Sequence, residues 1–375
     1  MTHDETSVHD VAILGAGPAG TAAAAHLGAL GVRDVVLVDR HDFPRDKTCG
    51  SGVSPKGIEV LKELGVFEEV EPHAYWIRGI RLVTPGGRDS WQSAEGAAEA
   101  IVCKRRVLDD VLLRKAQARG TTFIPHFDAT EAIEEGGRVA GFRARDGREL
   151  RARYTLIAGG SHCRVGLPAD RPRRTIQAIM GWWDGADFEP HHVEMLFDRS
   201  LEPYYGWLFP ESETRVNIGI TYEDPPGEKK NARRLFEAFL DKYYRARLSG
   251  ATQVGRFKGH PVVWSYKIER LHGPGRLVIG ESGLMTHPAT AEGIYQGMRS
   301  GMLGAEAVAS ALAGRSTEGE AFARYERECK KAFQLSFWGG GLFRGLVRTD
   351  ALDWAVALGD QPIVQSMTAK LMSSM

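Results

Sequence analysis

The sequence predicts an α/β fold in which a Rossmann-type domain carries an inserted antiparallel sheet and ends in a helical C-terminus. Three stretches of the chain predict it. Residues 11–20, VAILGAGPAG, place a glycine-rich turn between a buried strand and a helix. Residues 172–222 consist of short apolar and aromatic runs separated by turn residues, which is typical of an antiparallel sheet. The tail from Phe322 has helical periodicity and becomes apolar and aromatic at Phe337.

The glycines Gly15, Gly17 and Gly20 have the G-x-G-x-x-G spacing of a dinucleotide-binding turn. In that turn the first glycine makes the tight bend, the second lets the backbone approach a pyrophosphate, and the third lets helix and strand pack closely. The phosphates would lie at the helix N-terminus, where free N–H groups and the helix dipole favour negative charge. Asp39 follows a second apolar strand, about 20 residues beyond the last glycine, where a carboxylate is expected to bind an adenosine ribose.

Composition and charge exclude several classes of protein. Lys plus Arg and Asp plus Glu number 48 each, so no excess of positive charge indicates a nucleic-acid partner. The first ten residues are polar and acidic and no apolar run is long enough to span a bilayer, so a cytoplasmic protein is expected. The four cysteines form no C-x-x-C pair, and we expect neither a metal site nor a disulfide framework.

Between these landmarks the chain alternates helix and strand patterns. A loop rich in Gly, Pro and Ser follows Asp39 and runs to about Pro55, and long loops inside compact domains are usually functional. A hairpin is predicted over residues 77–91, and an amphipathic helix over residues 103–120. A helix rich in small residues is predicted over residues 291–312.

Three further motifs, taken with the glycine turn, carry a resemblance. Residues 43–52 have the pattern F-P-R-x-K-x-C-G-x-G, and residues 205–219 are close to Y-x-W-x-F-P-x8-G-x-G. Residues 280–294 resemble G-D-A-A-G-x-x-x-P-x-x-G-E-G-I. In this order and at this spacing, over residues 8–310, the motifs resemble the FAD-dependent geranylgeranyl reductase family, within the p-hydroxybenzoate-hydroxylase-like flavoproteins.

The resemblance implies an enzyme that binds FAD and performs redox chemistry on a hydrophobic substrate, isoprenoid-like or polycyclic. It implies that Glu281 reaches the ribityl chain and that the helix beginning at Gly293 directs its N-terminus at the flavin ring, where it would stabilise negative charge. Arg105 is a candidate contact to the FAD phosphates, or alternatively a solvated charge on a helix face.

The predicted site residues fall into two groups. Residues assigned to the cofactor are Gly15, Gly17, Ala19, Gly20, Asp39, Arg40, Arg45, Cys49, Gly50, Arg105, Gly280, Glu281, Gly293 and Ile294. Residues assigned to the substrate are Tyr205, Trp207, Phe209 and His287. Aromatic side chains at such positions line a pocket or fill a sheet core. A lone loop histidine such as His287 is also commonly structural.

Three positions depart from the family pattern. Glu281 stands where the family has Asp, Gly159 replaces the acid of an Ala-Asp-Gly sequence, and Thr221 replaces the second glycine after the aromatic motif. These departures leave the individual contacts to the cofactor open.

Two enzymatic mechanisms fit the resemblance. In the first, which we favour, reduced FAD delivers hydride from N5 to a carbon–carbon double bond and Cys49 is the candidate proton donor to the adjacent carbon. In the second, a C4a-peroxyflavin hydroxylates or epoxidises the substrate in a dry cavity. A third hypothesis is a degenerate flavoprotein that binds FAD or a lipid without turnover. A halogenase fits less well, because YGWLFP differs from its W-x-W-x-I-P motif and no counterpart of its catalytic lysine is recognisable.

The electron donor is not specified by the sequence. No second glycine-rich fingerprint is present, so a nicotinamide donor would have to bind transiently or not at all. The candidate donors are NADPH, ferredoxin or another reductant.

The predicted domains are discontinuous. The FAD-binding domain comprises residues 1–72, 101–165 and 267–320, the substrate domain residues 73–100 and 166–266, and a C-terminal helical segment residues 321–375. The apolar residues of that segment are expected to cover the substrate pocket or to touch a membrane surface as a peripheral contact. The alternative is a helix packed on the body of the protein. These residues are Phe337, Trp338, Leu342, Phe343, Leu346 and Val347.

Overall fold

The computed structural model describes residues 7–93, 99–168, 173–224 and 227–357. The outer ends of the first and last predicted segments, residues 1–6 and 358–375, lie outside these ranges. Within them, parallel and antiparallel sheets combine with helices, and the chain ends in helices. The predicted fold class is therefore confirmed.

The strands of the described residues are β1 (Val8–Leu14), β2 (Val35–Val38), β3 (Gly52–Val53), β4 (Ala74–Ile77), β5 (Gly79–Val83), β6 (Asp89–Ser93), β7 (Ala100–Cys103), β8 (Thr122–Ile124), β9 (Ala129–Glu135), β10 (Arg138–Ala144), β11 (Glu149–Ile157), β12 (Arg174–Asp184), β13 (His192–Leu196), β14 (Gly206–Pro210), β15 (Arg215–Tyr222), β16 (Thr252–Gln253), β17 (Lys258–Trp264), β18 (His272–Gly273) and β19 (Arg276–Val278). The α-helices are α1 (Pro18–Ala29), α2 (Pro55–Leu64), α3 (Phe67–Val70), α4 (Arg105–Ala118), α5 (Ala232–Tyr244), α6 (Ile294–Leu312), α7 (Glu318–Val347) and α8 (Ala351–Ala357). Short 3₁₀ turns cover Glu71–His73 and Gly280–Gly283.

The first sheet has the order β18-β19-β11-β1-β2-β8, with β10 and β9 added beside β11. Strands β19, β11, β1, β2 and β8 run parallel. Alternate residues of β1 enter two different cores: Ile13 packs under helices α1, α4 and α6, whereas Leu14 packs under β9 and β10. A parallel sheet buried on both faces explains the continuous apolar runs of β1 and β2.

The second sheet has the order β16-β12-β15-β14-β13-β5-β6, with β17 beside β12. The hairpin predicted over residues 77–91 forms β5 and β6, and it joins this sheet rather than standing alone. The sheet is antiparallel, as predicted, except that β13 pairs parallel to β5. That parallel pair is possible because the two strands lie in chain segments far apart, so no tight turn imposes an antiparallel direction.

A small third sheet, β3-β7-β4, holds the end of the glycine-rich loop. The carbonyl of Ser51 accepts from the backbone N–H of Cys103, and Ser54 caps α2 by accepting from the N–H of Gly57. The loop carrying the F-P-R motif is thus tied to a strand and a helix at its C-terminal end. Strand β4, which the predicted domain division assigns to the substrate domain, pairs with β7 in this sheet.

Helix α7 begins with a capping box between Thr317 and Glu320, so it crosses the predicted boundary at residue 321. Its inner face contributes Phe322, Phe333 and Phe337 to the core under the first sheet. No helix within the described residues combines the length and hydropathy needed to cross a membrane.

Candidate functional site

A cavity of about 600 Å³ opens where β1, β2 and β11 end and the second sheet begins. Ligands in open α/β sheets bind at the carboxyl ends of the strands. We call the part lined by Arg40, Arg45, Lys47 and Arg105 the cationic arm, and the part lined by Ile77, Met180, Val193, Tyr205, Trp207 and Phe209 the apolar chamber. The predicted site residues that line the cavity are Gly15, Gly17, Ala19, Asp39, Arg40, Arg45, Cys49, Gly50, Arg105, Tyr205, Trp207, Phe209, Glu281, Gly293 and Ile294.

The glycine turn leaves room for a ligand at one of its three glycines. Gly15 has φ +101°, and a Cβ there would lie 2.4 Å from the carbonyl oxygen of Ala158. A Cβ on Gly20 would lie 1.9 Å from the carbonyl oxygen of Gly15. By contrast, a Cβ on Gly17 would meet nothing nearer than two guanidinium nitrogens at 4.0 Å. Gly15 and Gly20 therefore shape the turn, while Gly17 faces the cavity at the N-terminus of α1.

The two guanidinium groups facing Gly17 belong to Arg45 and Arg105. Arg105 donates from Nε and Nη2 to the two carboxylate oxygens of Asp109, at 2.7 Å each. Arg45 Nη1 lies 3.2 Å from Asp109 Oδ2 but makes no hydrogen bond to any residue that the structure describes. Asp109 therefore orients a pair of cations beside the N-terminus of α1, which is an anion-binding arrangement.

Asp39 is buried at the end of β2 with its carboxylate already oriented. Oδ2 accepts from the N–H of Ala16 at 2.8 Å and Oδ1 from the N–H of His41 at 3.0 Å. This carboxylate lines the same cavity as the glycine turn, as the predicted ribose contact requires.

The F-P-R loop and the aromatic strand β14 meet at the junction of the two parts of the cavity. A Cβ on Gly50 would lie 3.2 Å from the ring of Phe209, and the thiol of Cys49 accepts from the N–H of Ser51 at 3.3 Å. On the other side, Cys49 lies close enough to Arg105 for the two groups to interact electrostatically. Cys49 is half-buried and lies where the cationic arm meets the apolar chamber.

Polar bonds hold the aromatic wall of the chamber. Tyr205 donates its hydroxyl to the carbonyl of Thr290 at 2.5 Å, and Trp207 donates its ring N–H to Oδ1 of Asn217 at 2.7 Å. Thr221, one of the three departures, donates its hydroxyl to the carbonyl of Tyr205 at 2.9 Å. These polar atoms already have hydrogen-bond partners within the wall and need none from a ligand. The aromatic rings can therefore pack against an apolar ligand.

Glu281 and Gly159, the other two departures, lie on neighbouring turns. Glu281 is half-buried, and its Oε1 accepts from the N–H of Val263 at 3.1 Å. Burial raises the pKa of this carboxyl, and the N–H of Val263 and the charge of Lys47 oppose the rise. A Cβ on Gly159 would lie 2.8 Å from the sulfur of Cys163, so a side chain there would displace that thiol.

Sequence reasoning missed a cluster around Lys47. Its Nζ lies 2.6 Å from Nε2 of His260, and Ser161 Oγ lies 2.9 Å from the same nitrogen. Burial lowers the pKa of Lys47 to about 8 and that of His260 to about 3. Lys47 is part of the quoted loop motif, but nothing local marks His260, which the pairing of β17 with β12 brings to the cavity.

A buried acid, Glu292, was also missed. It lines the cavity, lies directly before the N-cap of α6, and bonds Ser54 and Gln296. Its presence inside the quoted G-E-G-I motif was the signal that could have identified it.

Gly20, Gly280 and His287 do not line the cavity. Gly280 packs against α1, since a Cβ there would lie 2.7 Å from the Cβ of Ala19. The imidazole of His287 is buried edge-on against Phe337 of α7, with ring centroids 5.8 Å apart, and Nδ1 accepts from the N–H of Thr290 at 3.2 Å. This position fits the alternative in which His287 is a structural residue rather than a contact to the substrate.

Comparison with known proteins gives the family. The FAD binding domain family matches residues 8–335. The chain is 30% identical over 329 residues to menaquinone reductase of Mycobacterium tuberculosis, covering 82% of this chain and 77% of the relative. It is 29% identical over 345 residues to digeranylgeranylglycerophospholipid reductase 1 of Methanothermobacter thermautotrophicus, covering 86% and 82%.

Solved structures show the same fold. A geranylgeranyl bacteriochlorophyll reductase-like protein from Thermoplasma acidophilum superimposes with a TM-score of 0.85 at 21% identity, covering 98% of this chain and 96% of that one. A flavin-dependent brominase superimposes with a TM-score of 0.81 at 20% identity, covering 98% and 94%.

Proposed function

Because the chain belongs to the FAD binding domain family, we propose that it uses FAD to reduce a carbon–carbon double bond of a hydrophobic, isoprenoid-like or polycyclic substrate. The predicted family, the FAD cofactor and the oxidoreductase class are confirmed by the family match and the reductase relatives. The bond that is reduced, the substrate and the residue roles are the proposal.

The cationic arm fits the dinucleotide part of FAD. Gly17 is open to the cavity, and the buried Nη1 of Arg45 is ion-paired with Asp109 but makes no hydrogen bond within the described residues. We assign the pyrophosphate to this position, between the N-terminus of α1 and the two guanidinium groups of Arg45 and Arg105. Asp39 would accept from the adenosine ribose.

The N-terminus of α6 fits the flavin part. Gly293 and Ile294 line the cavity, and the first N–H groups of a helix carry partial positive charge. Reduced FAD supplies the hydride when it is bound, and this helix end would stabilise the negative charge of the reduced ring. Glu281 is the residue assigned to the ribityl chain.

The observation that carries the proposal is the position of Cys49. It lies at the junction of the cationic arm and the apolar chamber, beside Arg105 on one side and next to Gly50 and Phe209 on the other. A thiol there can give its proton to the carbon adjacent to the one that receives hydride, so that two hydrogens add across the double bond. An external reductant would restore the reduced cofactor. The candidates are NADPH, ferredoxin and other electron donors.

Two further observations support the substrate class. The chamber is lined by aliphatic and aromatic side chains, which suits a greasy ligand. The two relatives are named as reductases of menaquinone and of digeranylgeranylglycerophospholipid, and both compounds are lipids. Tyr205, Trp207 and Phe209 would form the wall against which such a substrate packs.

An anaerobic reoxidation experiment tests the function. The purified protein is reduced with dithionite, excess reductant is removed, and menaquinone, a geranylgeranyl lipid or oxygen is added while flavin absorbance is followed. Reoxidation by a lipid whose product remains heavier by two hydrogens after any quinol has been re-oxidised in air supports the reductase. A hydroxylated or epoxidised product formed only with oxygen would establish a monooxygenase instead. A flavin that no substrate reoxidises to give a product would indicate a non-catalytic flavoprotein.

A further inference from the structure

The carboxyl of Glu292 is enclosed between two helices beside the cavity. Glu292 is 8% exposed and lies immediately before Gly293, the N-cap of α6. Ser54 Oγ lies 2.5 Å from Oε1, and Nε2 of Gln296 donates to Oε2 at 3.0 Å. The family function described above gives this acid no role.

The charged and titratable groups around the carboxyl come from four parts of the chain. Lys56 of α2 is exposed and favours the ionised form, whereas Tyr205 and Tyr295 are tyrosines whose pKa the carboxylate helps to raise. His287 donates only its backbone N–H, to the carbonyl of Glu292. Burial outweighs Lys56 and the two hydrogen bonds, and it raises the pKa of Glu292 to about 7.

Both hydrogen-bond partners can serve either protonation state. A serine hydroxyl donates or accepts, and Ser54 already accepts from the N–H of Gly57 at 3.3 Å. The amide oxygen of Gln296 is buried and bonds no residue within the described parts of the chain. A rotation of that amide would present this oxygen to a protonated carboxyl, in place of the N–H that now faces the carboxylate. The site therefore accommodates a proton without leaving the carboxyl unpaired.

We propose that Glu292 accepts a proton when the FAD bound in this cavity is reduced, and releases it when the flavin is oxidised. Two electrons and one proton enter the flavin from the reductant and solvent, which leaves a negative charge in the cavity at the α6 N-terminus. A second proton from solvent then binds the carboxylate, because two like charges in a desolvated site repel each other. This inference rests on the FAD site of the proposed function and holds for any substrate.

The coupling is reciprocal, so it is measurable without turnover. Midpoint potentials of the bound flavin are measured from pH 5 to 9 for the wild type and for Glu292→Gln, which keeps the shape of the side chain but has no titrating proton. Below about pH 7 the wild-type carboxyl is protonated in both redox states of the flavin. The plots of midpoint potential against pH for the wild type and for Glu292→Gln should therefore be parallel in this range. Above that pH the wild-type potential should fall more steeply by about 30 mV per pH unit, the value for one additional proton per two electrons. Parallel curves over the whole range would overturn the proposal.

Two further measurements keep the test decisive if Glu292→Gln binds FAD poorly. In Ser54→Ala the carboxylate loses a donor, so the steeper region should begin at higher pH; an unchanged onset counts against the proposal. Infrared difference spectra of the wild type should show a protonated-carboxyl band gained on reduction at pH 8, and its absence would also overturn it. A protein that takes up no FAD would refute the cofactor site. If FAD binds but the difference in midpoint potential between the wild type and Glu292→Gln does not change with pH, only the role of Glu292 is refuted.

Discussion

At the scale of single residues, the four cysteines occupy different environments. Burial raises the pKa of the Cys103 and Cys329 thiols to about 12, so neither releases a proton readily at neutral pH. Cys49 is half-buried, lines the cavity and lies beside Arg105. Cys163 also lines the cavity, so what distinguishes Cys49 as the proton donor is its position between Arg105 and the Gly50–Phe209 contact.

Replacement of this thiol tests the assignment. Cys49→Ala should leave FAD binding and flavin reduction unchanged, while double-bond reduction falls by about 10²–10⁴-fold, the usual effect of a lost general acid. Single-turnover oxidation of the reduced flavin by substrate is the measurement. Cys163→Ala is the matched control, because Cys163 lines the same cavity near Gly159 and has no role in the proposed chemistry. Full activity of Cys49→Ala would favour the monooxygenase.

The glycine turn allows cofactor binding to be separated from folding. Gly17 has φ −75° and ψ −179°, which alanine adopts without strain, so Gly17→Ala should change stability by about 1 kcal/mol or less. Its methyl group should nevertheless weaken FAD binding by about tenfold or more, because the pyrophosphate must approach this backbone. Fluorescence titration of the apoprotein with FAD measures the affinity.

Gly20→Ala provides the contrast. Its Cβ would lie 1.9 Å from the carbonyl oxygen of Gly15, so overpacking should destabilise the fold by about 1–3 kcal/mol. Equal losses of stability in the two variants would contradict the assignment of Gly17 to the cofactor.

His287 should make the protein sensitive to acid. Its Nδ1 accepts from the N–H of Thr290, and an imidazolium cannot accept. Burial lowers the pKa of His287 to about 4, below the 6.5 of an exposed histidine, so the unfolded state binds more protons between these values. Stability should therefore rise as the pH rises from 4 to 6.5, by about 3 kcal/mol from this group.

Urea denaturation at several pH values measures the slope. His287→Asn keeps an acceptor and does not titrate, so its unfolding free energy should vary less over that window than that of the wild type. His272→Asn, at an exposed position, should retain the wild-type slope. If His287→Asn also retained it, the buried imidazole would not be the group responsible.

At the scale of elements, α7 has two different faces. Of the residues predicted to form an apolar cluster, Phe337 and Val347 are buried, and Phe343 packs against the cluster that contains Tyr205. Trp338, Leu342 and Leu346 are exposed. The helix therefore both packs on the body of the protein and supports the wall of the chamber, while its outer face carries an apolar stripe. Truncation at residue 331 would remove Phe333 and Phe337 from the core, so point substitutions test this stripe more cleanly.

The exposed stripe leads to the prediction of peripheral membrane contact. Trp338→Ser combined with Leu342→Ser should lower co-sedimentation with phosphatidylglycerol-containing vesicles by about tenfold, because each side chain would otherwise bury apolar area in the interface. FAD binding should be unchanged. Trp91→Ser is the control, since Trp91 is also exposed and lies on β6 rather than on α7. A wild-type protein that does not co-sediment with vesicles would contradict the prediction.

At the scale of the whole molecule, Arg344 of α7 joins the first sheet's helical layer to the second sheet. Its guanidinium lies 4.6 Å from the ring centroid of Tyr204 and 4.4 Å from that of Trp264, and Nη2 donates to Glu223 at 2.7 Å. Arg344 is 4% exposed, so these contacts are desolvated. A cation stacked between two rings and paired with a carboxylate is stronger than an exposed ion pair.

Removal of this cation should weaken the connection between the two sheets. Arg344→Met should lower the free energy of unfolding by about 1–3 kcal/mol, since it loses the stacking and leaves Glu223 without its closest cation. Arg348→Met is a matched control, because Arg348 is exposed and 3.8 Å from the same carboxylate, and it should cost about 0–1 kcal/mol. Thermal denaturation compares the two. Equal effects would show that burial of Arg344 contributes nothing.

The sequence alone determined features that depend on neighbouring residues. Gly15, Gly17 and Gly20 specify a strand–turn–helix, and β-strand and helix periodicities specify both sheets and α7, because backbone sterics and burial act over a few residues. Asp39, Cys49 and the aromatic strand, which the motif order assigns to the site, line one cavity.

The tertiary structure alone decided which distant residues meet. Lys47 and His260 are 213 positions apart, and Ser54 and Glu292 are 238 positions apart, so no local pattern indicates either pair. The shifted pKa values of Lys47, His260 and Glu292 follow from burial, which exists only after the sheets pack. The parallel pairing of β13 with β5 and the removal of His287 from the cavity have the same origin. The packing of the whole core determines which residues far apart in the chain come into contact. The sequence gives the identity of those residues but not their pairing.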